Sequence, residues 1–527
     1  MGKLGTLDIS VFISYLVFVT IIGFVAGRKK KESASDYFIA AGKLPWYLIG
    51  FSMLASNIST EQFIGSCGAA YKWGMPVLNW ELSNFVVLLM VIWVFIPIYL
   101  QNRIVTIPQY LELRFGNTSR GIYAMVSLFS IIFIMLAGVL YTGGFILEQI
   151  LGINKISGIW SMVILAGAYT VYGGLISVAW TQLLQGILLL GGGLLVAVLG
   201  IINVDGGFSG IIGTGVRSHL IQPISHPELP WTAILVLTIP VNIWYWCTNQ
   251  AMIQSSLGAK SPWHSGMGVI LLGFLIILAS LTIEFPGLIA YALNPNLENV
   301  DNAYLFVVKT LVPSGLKGLI LAGLMAAMMS TIQALAQSAS TLFTLELYSK
   351  TKKSASDANL IRTGRISCTF VLILGALWAP MVGGFPSIFE FFAKTYFFFA
   401  APVAAVFIAG IFWKRATSTA AVWTLLLCFP LLVFPYLIRI AKQTYGLEIN
   451  EYNLAGVVFM VSIVFVFIVS LITQPPGKEQ IDGLVWKPSM VKINVSEFKD
   501  SSALHKKIWV WSAIYLTIMV VIYVLYW

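Results

Sequence analysis

Apolar positions along this chain fall in long uninterrupted blocks, separated by short polar stretches. Runs of about 20 residues, enough for a helix to cross a bilayer, lie near 8–27, 46–71, 78–101, 121–149, 155–172, 178–203, 231–256 and 266–293. Six more lie near 316–349, 361–382, 385–412, 417–438, 453–473 and 507–527, with only short gaps at 173–177 and 383–384. Fourteen such runs predict an all-α polytopic membrane protein, because a helix satisfies its own backbone groups in hydrocarbon.

Two runs are interrupted by polar residues. FSMLASNISTEQFIGSCGAAY at 51–71 places Ser56, Asn57, Ser59, Thr60, Glu61 and Gln62 in mid-span, and VNIWYWCTNQ at 241–250 does the same in the seventh. Polar groups at membrane depth persist where they are buried in protein or line a cavity. The two interruptions occupy corresponding places if spans two to six and seven to eleven form a repeated pair of five. That arrangement points to a midplane binding site built on broken helices. A channel would more often show charged rings or a carbonyl filter loop.

Composition agrees with the hydropathy: 58% hydrophobic residues, 10% charged residues and a mean hydropathy of +0.88 lie far outside soluble averages. The net charge of +10 is spread loop by loop, with RKKK at 28–31, Arg103, Arg114, Arg120, Lys350–Lys353, Lys414, Arg415 and the 474–507 loop on one side. By the positive-inside rule those loops are cytoplasmic and both termini are extracytoplasmic. Nucleic-acid binding would need those charges gathered on one soluble face. The first span lacks a small-residue cleavage pattern and is expected to be retained. Cys67, Cys247, Cys368 and Cys428 all lie in apolar runs and imply no disulfide framework, and His219, His226, His264 and His505 lack metal-ligand spacing. The Gly-Lys pairs at 2–3, 42–43 and 477–478 lack the hydroxyl residue of a phosphate-binding loop. No Asp or His stands in mid-span to serve an intramembrane protease. The chain is therefore expected to be a gradient-driven transporter and not an enzyme.

The ninth span supplies a candidate ion site. Ser330, Thr331, Gln333, Gln337, Ser338, Thr341 and Thr344 run down an otherwise apolar helix. Single hydroxyls in such helices commonly serve packing and bond to their own backbone. Adjacent Ser330 and Thr331, however, offer two neutral oxygens to a hard cation, and carbonyls freed by the broken second span can complete the shell. Sodium is the fitting ion.

SNISTEQFIG at 56–65, TIPQYLELRFG at 106–116, VYGGLISVAWTQLLQ at 171–185, NIWYWCTNQAMIQSSLGAKS at 242–261, STIQALAQSASTLFTLELY at 330–348 and IFWKRATSTAA at 411–421 resemble the sodium/solute symporter family, nearest its sodium/glucose and sodium/galactose cotransporters. The resemblance covers nearly the whole chain. It implies fourteen helices around a LeuT-type five-plus-five inverted-repeat core in a single domain. Residues 8–27 would be an extra helix, 46–203 and 231–412 the two repeats, and 417–527 three further helices. It also implies sodium-coupled import of a monosaccharide by alternating access, in a bacterial inner membrane, with no obligate protein partner. Inositol, an acidic sugar such as sialic acid, or an organic acid are alternative solutes.

Carried over position by position, the sodium ligands would be the backbone carbonyls of Ala55, Ile58 and Ala327 with the hydroxyls of Ser330 and Thr331. The solute would meet Gln62, Glu81, Asn242 and Tyr245, with Trp80 beside Glu81 and Asn57 holding Tyr245 as an inner gate. Amides and a carboxylate suit a ligand of many hydroxyls, and an aromatic face suits the ring. A second sodium site seen in some members would need an Asp and a hydroxyl where this chain has Gln182 and Ala334, so one sodium per solute is expected. Met135 and Ile276 replace an Asn and a Lys of the sugar carriers, and an expected Gln falls on Ala393 or Lys394. Lys394 is either a solute contact or a structural partner of Glu390.

Overall fold

The computed structural model describes residues 5–27, 33–226, 228–352, 354–384, 388–431, 434–446, 450–491 and 503–527. Within them the chain is helical throughout, and the one extended pairing is a lone bridge between Leu44 and Ala259. Among the described residues, eleven helices are long and apolar enough to cross a membrane, and Lys155–Ala168 and Ser418–Leu431 are shorter apolar helices. The fourteenth expected span is the second, which is divided into pieces too short to cross alone.

Its first piece, Trp46–Asn57, ends where Ile58 turns extended at φ −81°, ψ 118°, and the chain resumes through a wide π-type turn at Gln62–Ser66 into Cys67–Trp73. The seventh span behaves alike. Pro240 cannot donate a helical hydrogen bond, and the chain runs through wide turns at Leu237–Val241 and Ile243–Thr248. It then breaks at Asn249 (φ −75°, ψ 119°) before Gln250–Leu257. The two breaks thus share nearly the same backbone conformation. Asn249 caps the resumed helix by accepting from Ala251 N at 2.9 Å, and Gln250 accepts from Ile107 N at 2.9 Å. The carbonyls stranded at this break are met by phenols: Tyr99 donates to Cys247 O at 3.0 Å and Tyr123 to Thr248 O at 2.7 Å.

The soft boundary at 173–177 is a sharp kink at Gly174 (φ 63°, ψ −169°) inside Lys155–Asn203. This left-handed conformation suits glycine, and a Cβ there would lie 2.6 Å from Tyr37 O.

Burial grades outward from the centre. The ninth span, Leu316–Leu342, is buried almost along its whole length, whereas Thr6–Gly27 and Ile508–Leu525 expose most of their apolar side chains, as lipid-facing helices do. The second and eighth spans meet through glycines, the small-residue contact that lets membrane helices approach closely. A Cβ on Gly50 would lie 2.9 Å from Gly268 O, and one on Gly268 would lie 2.6 Å from Ile49 Cγ2 and 3.0 Å from Trp46 O. Gly268→Leu is therefore expected to destabilise the protein by about 1–3 kcal/mol, the usual cost of overpacking. The measurement is the Tm of the detergent-purified protein. Gly121→Ala is the control, because its Cβ meets nothing within 4 Å; equal Tm values for the two variants would refute the packing argument.

Charged residues at one end of the bundle form a connected cluster. Arg120 pairs with both Glu112 and Glu346, Thr106 donates to Glu346, and Lys350 reaches Glu112 at 3.0 Å. Arg114, fully buried, donates to the carbonyls of Gly410, Trp413 and Ala416 at 2.9–3.1 Å. It thereby satisfies Gly410 O in the last turn of Ile388–Phe412 and two carbonyls just beyond that helix, at its negative end. Part of the 474–507 loop is packed against the bundle. Leu484 and Val485 are buried, and Trp486 donates from its backbone to Ile411 O at 2.8 Å and from its indole to Trp93 O at 2.9 Å.

Candidate functional site

The two interrupted spans, the third span and the helix Ile388–Phe412 surround a partly open cavity, about 520 Å³ when the space open to solvent is included. Asn57, Gln62, Trp80, Glu81, Asn242 and Tyr245 all line it, so the structure brings together six of the seven predicted solute contacts. The seventh, Lys394, has its side chain outside the described residues, as do Ala393 and Glu390.

Glu81 is the hub of the polar wall. Its side chain accepts from Gln62 Nε2 at 2.7 Å, from Asn57 Nδ2 at 3.2 Å and from Asn84 Nδ2 at 3.3 Å. The unwound backbone aims these groups: Ser59 N donates to Gln62 Oε1 at 3.1 Å, which turns the Gln62 amide toward Glu81. Asn242 donates to Ser83 Oγ at 3.1 Å. The expected Asn57–Tyr245 bond is not formed. Asn57 is instead spent on Glu81, the stronger partner because hydrogen bonds to a carboxylate are charge-assisted.

Residues not predicted complete the cavity. Asn84 sits three places after Glu81, one helical turn on, and accepts from Trp246 Nε1 at 2.8 Å. Its spacing from Glu81 was the signal available. Phe389, Phe392 and Tyr396 recur at helical spacing and form an aromatic wall, with Tyr396 6.2 Å from Tyr245 and Phe389 5.2 Å from Trp80 between ring centres. Glu61 adds a second carboxylate. Met135 and Ile276, the departures from the sugar-carrier pattern, are buried and do not line this cavity; Met135 Sδ accepts from Asn249 Nδ2 at 3.3 Å.

A second constellation lies across the same broken helix. Thr331 Oγ1 is 3.4 Å from Ala55 O, 3.2 Å from Ile58 O and 3.1 Å from Ala327 O, and Ser330 Oγ is 2.9 Å from Ala327 O. The three predicted carbonyls thus converge on the Thr331 hydroxyl, with the Ser330 hydroxyl adjoining them at Ala327 O. The Thr331 hydroxyl carries one proton, so three carbonyls compete for it and lone pairs are left over. An excess of converging neutral oxygens, with no anionic ligand among them, fits a small hard monovalent cation. Beside it, Gln182 donates from Nε2 to Ser330 O and Ser56 Oγ, both at 3.0 Å, and accepts from Ser52. A neutral amide thus ties the second, sixth and ninth spans together.

A membrane-embedded helical bundle with two broken spans, a central polar cavity and a carbonyl-hydroxyl nest on the same broken helix defines a secondary transporter. Comparison narrows the class. The profile of the sodium:solute symporter family matches residues 37–428, and the chain belongs to that family. It is 33% identical to the sodium/glucose cotransporter of Vibrio parahaemolyticus over 463 residues, covering 82% of this chain and 85% of the relative. It is 30% identical to the sodium/myo-inositol cotransporter 2 of Oryctolagus cuniculus over 536 residues, covering 91% and 78%. Among solved structures, a Na+-coupled sialic acid symporter in a substrate-bound outward-open state superposes with a TM-score of 0.77 at 24% identity, covering 90% of this chain and 99% of that one. Mhp1, a nucleobase-cation-symport-1 family transporter, superposes at 0.54 and 15% identity, covering 86% and 99%. The fold is the LeuT type, and the protein is an integral membrane transporter rather than an enzyme.

Proposed function

We propose that the chain is a sodium-coupled symporter importing a neutral cyclic polyol, a hexose or an inositol, by alternating access with one sodium per solute. The carrying observation is that one broken helix serves both ligands. Asn57 and Gln62 face the cavity, while the carbonyls of Ala55 and Ile58 turn toward Thr331. Sodium held by Ala55, Ile58, Ala327, Ser330 and Thr331 orders the break, and the ordered break presents Gln62 and Asn57 to the solute. Linkage then requires each ligand to raise the other's affinity by the same factor.

The solute class follows from the lining. Four amides and two carboxylates can bond several hydroxyls in fixed directions, and Trp80, Tyr245 and Tyr396 cover the apolar faces of a ring. Among the described side chains of the cavity there are two acids, Glu61 and Glu81, and no Lys, Arg or His to pair with an anionic solute. The glucose and myo-inositol carriers among its relatives point the same way. The shared conformation at Ile58 and Asn249 supports inverted repeats at 46–203 and 231–412. We place the protein in a bacterial inner membrane with both termini extracytoplasmic, on the positive-inside distribution of its loops.

Proteoliposomes given an inward sodium gradient test this reading with glucose, galactose, myo-inositol and sialic acid as competing solutes. Uptake of a hexose or inositol, with sialic acid inert and a sodium-to-solute ratio of one, is the expected result. A ratio of two would refute the role given to Gln182 and Ala334, and preferred uptake of sialic acid would refute the neutral-solute assignment.

A further inference from the structure

The eighth span carries a carboxylate that the proposed mechanism does not use. Glu284 is fully buried between the helices Pro262–Ile283 and Phe285–Leu293, and neither of its carboxylate oxygens has a hydrogen-bond partner. Pro286 lacks an N–H and so leaves Thr282 O without its helical donor, while Gly287 N bonds to Glu284 O at 2.9 Å, one residue short of the helical register. The span is therefore already bent at this residue.

The bend lies against the broken second span. One turn beyond Glu284, Gly287 presses on the outer half of the broken second span, where a Cβ would stand 2.1 Å from Cys67 O and 2.8 Å from Tyr71 N. The titratable groups facing this seam are Cys67 and Tyr71 of the second span, Glu81 of the third, and Asp301 and Tyr304 ahead of the ninth. All are acids. Arg217, at the end of the seam, is held by the carbonyls of Tyr71 and Lys72 and by the Tyr291 ring. An ionised carboxylate buried with no donor and no cation is prohibitively costly, whereas the neutral acid costs no more than an unmade hydrogen bond.

We propose that Glu284 is a proton-binding site of the carrier, occupied while Phe285–Leu293 is packed on Cys67–Trp73 and vacated when that seam opens to water. On opening, the O–H bond of the acid breaks, the proton passes to water as hydronium, and the carboxylate is left hydrated. A proton bound in one arrangement and released in the other is a ligand of the first. Acid therefore favours the closed seam and alkali the open one.

The test needs no knowledge of the solute, so its failure is separate from any failure of the sugar reading. Infrared spectra of the purified protein at neutral pH are expected to contain a protonated-carboxyl C=O band that is lost in Glu284→Gln, a neutral isostere. Raising the pH is expected to lower the Tm of the wild type more steeply than that of Glu284→Gln, because the proton is held by the folded arrangement and given up on opening. Glu284→Leu, which removes the unpaired group altogether, is expected to melt no lower than wild type at alkaline pH. The proposal is overturned if the infrared band is unchanged in Glu284→Gln and the two Tm profiles run parallel. It is equally overturned if both variants melt well below wild type at every pH, since the carboxylate would then be a needed ionic partner.

Discussion

Glu81→Ala is expected to lower sodium-driven solute uptake at least 100-fold, equivalent to about 2.7 kcal/mol at 1.36 kcal/mol per decade. Glu81 is almost wholly buried and gathers the amides of Asn57, Gln62 and Asn84. Truncation removes a solute acceptor and leaves three amide donors without the group that orients them, each worth about 1–3 kcal/mol when left unsatisfied. Glu81→Gln keeps the size and one acceptor oxygen but turns an NH2 group against neighbouring donors, so its loss is expected to be smaller, about tenfold. Uptake by reconstituted protein, normalised to folded carrier, measures both. Wild-type uptake by Glu81→Ala would remove Glu81 from the site.

Thr331→Ala is expected to raise the sodium concentration for half-maximal uptake about tenfold, or about 1.4 kcal/mol, with uptake recovering at saturating sodium. Its hydroxyl lies within 3.4 Å of all three converging carbonyls. Thr331→Ser keeps the oxygen and is expected to behave nearly as wild type. At subsaturating sodium the alanine variant should also show weaker apparent solute affinity, since the coupling is reciprocal. An unchanged sodium dependence would sink the assignment of this nest to sodium.

The architecture was legible because hydropathy over about 20 residues is the constraint a bilayer imposes most strictly. The breaks were legible for the same reason, as polar residues stand out in an apolar run. Side-chain direction was less so. Asn57 was expected against Tyr245 and is found on Glu81, a choice between two neighbours on different spans that depends on rotamer and helix rotation. Asn84, Trp246 and Tyr396 read as ordinary packing residues until the spans that carry them converge on one cavity. Glu284 escaped notice because a single acid within the 266–293 run belongs to no motif, and only the three-dimensional packing shows it enclosed and without a partner.

The stretch around Leu484 to Trp486 offered no motif, since its burial depends on a surface assembled by distant spans. Asn102 donates to Gly483 O at 2.8 Å and Tyr110 to Leu484 O at 3.3 Å, next to the Trp486 contacts with Trp93 and Ile411. A connection held by four hydrogen bonds at Gly483, Leu484 and Trp486 is no longer free to change length as surface loops usually are. It works as a strut: the end of the third span, the helix Ile107–Phe115 and the end of Ile388–Phe412 are fixed at one spacing and rotate, if at all, as a single body.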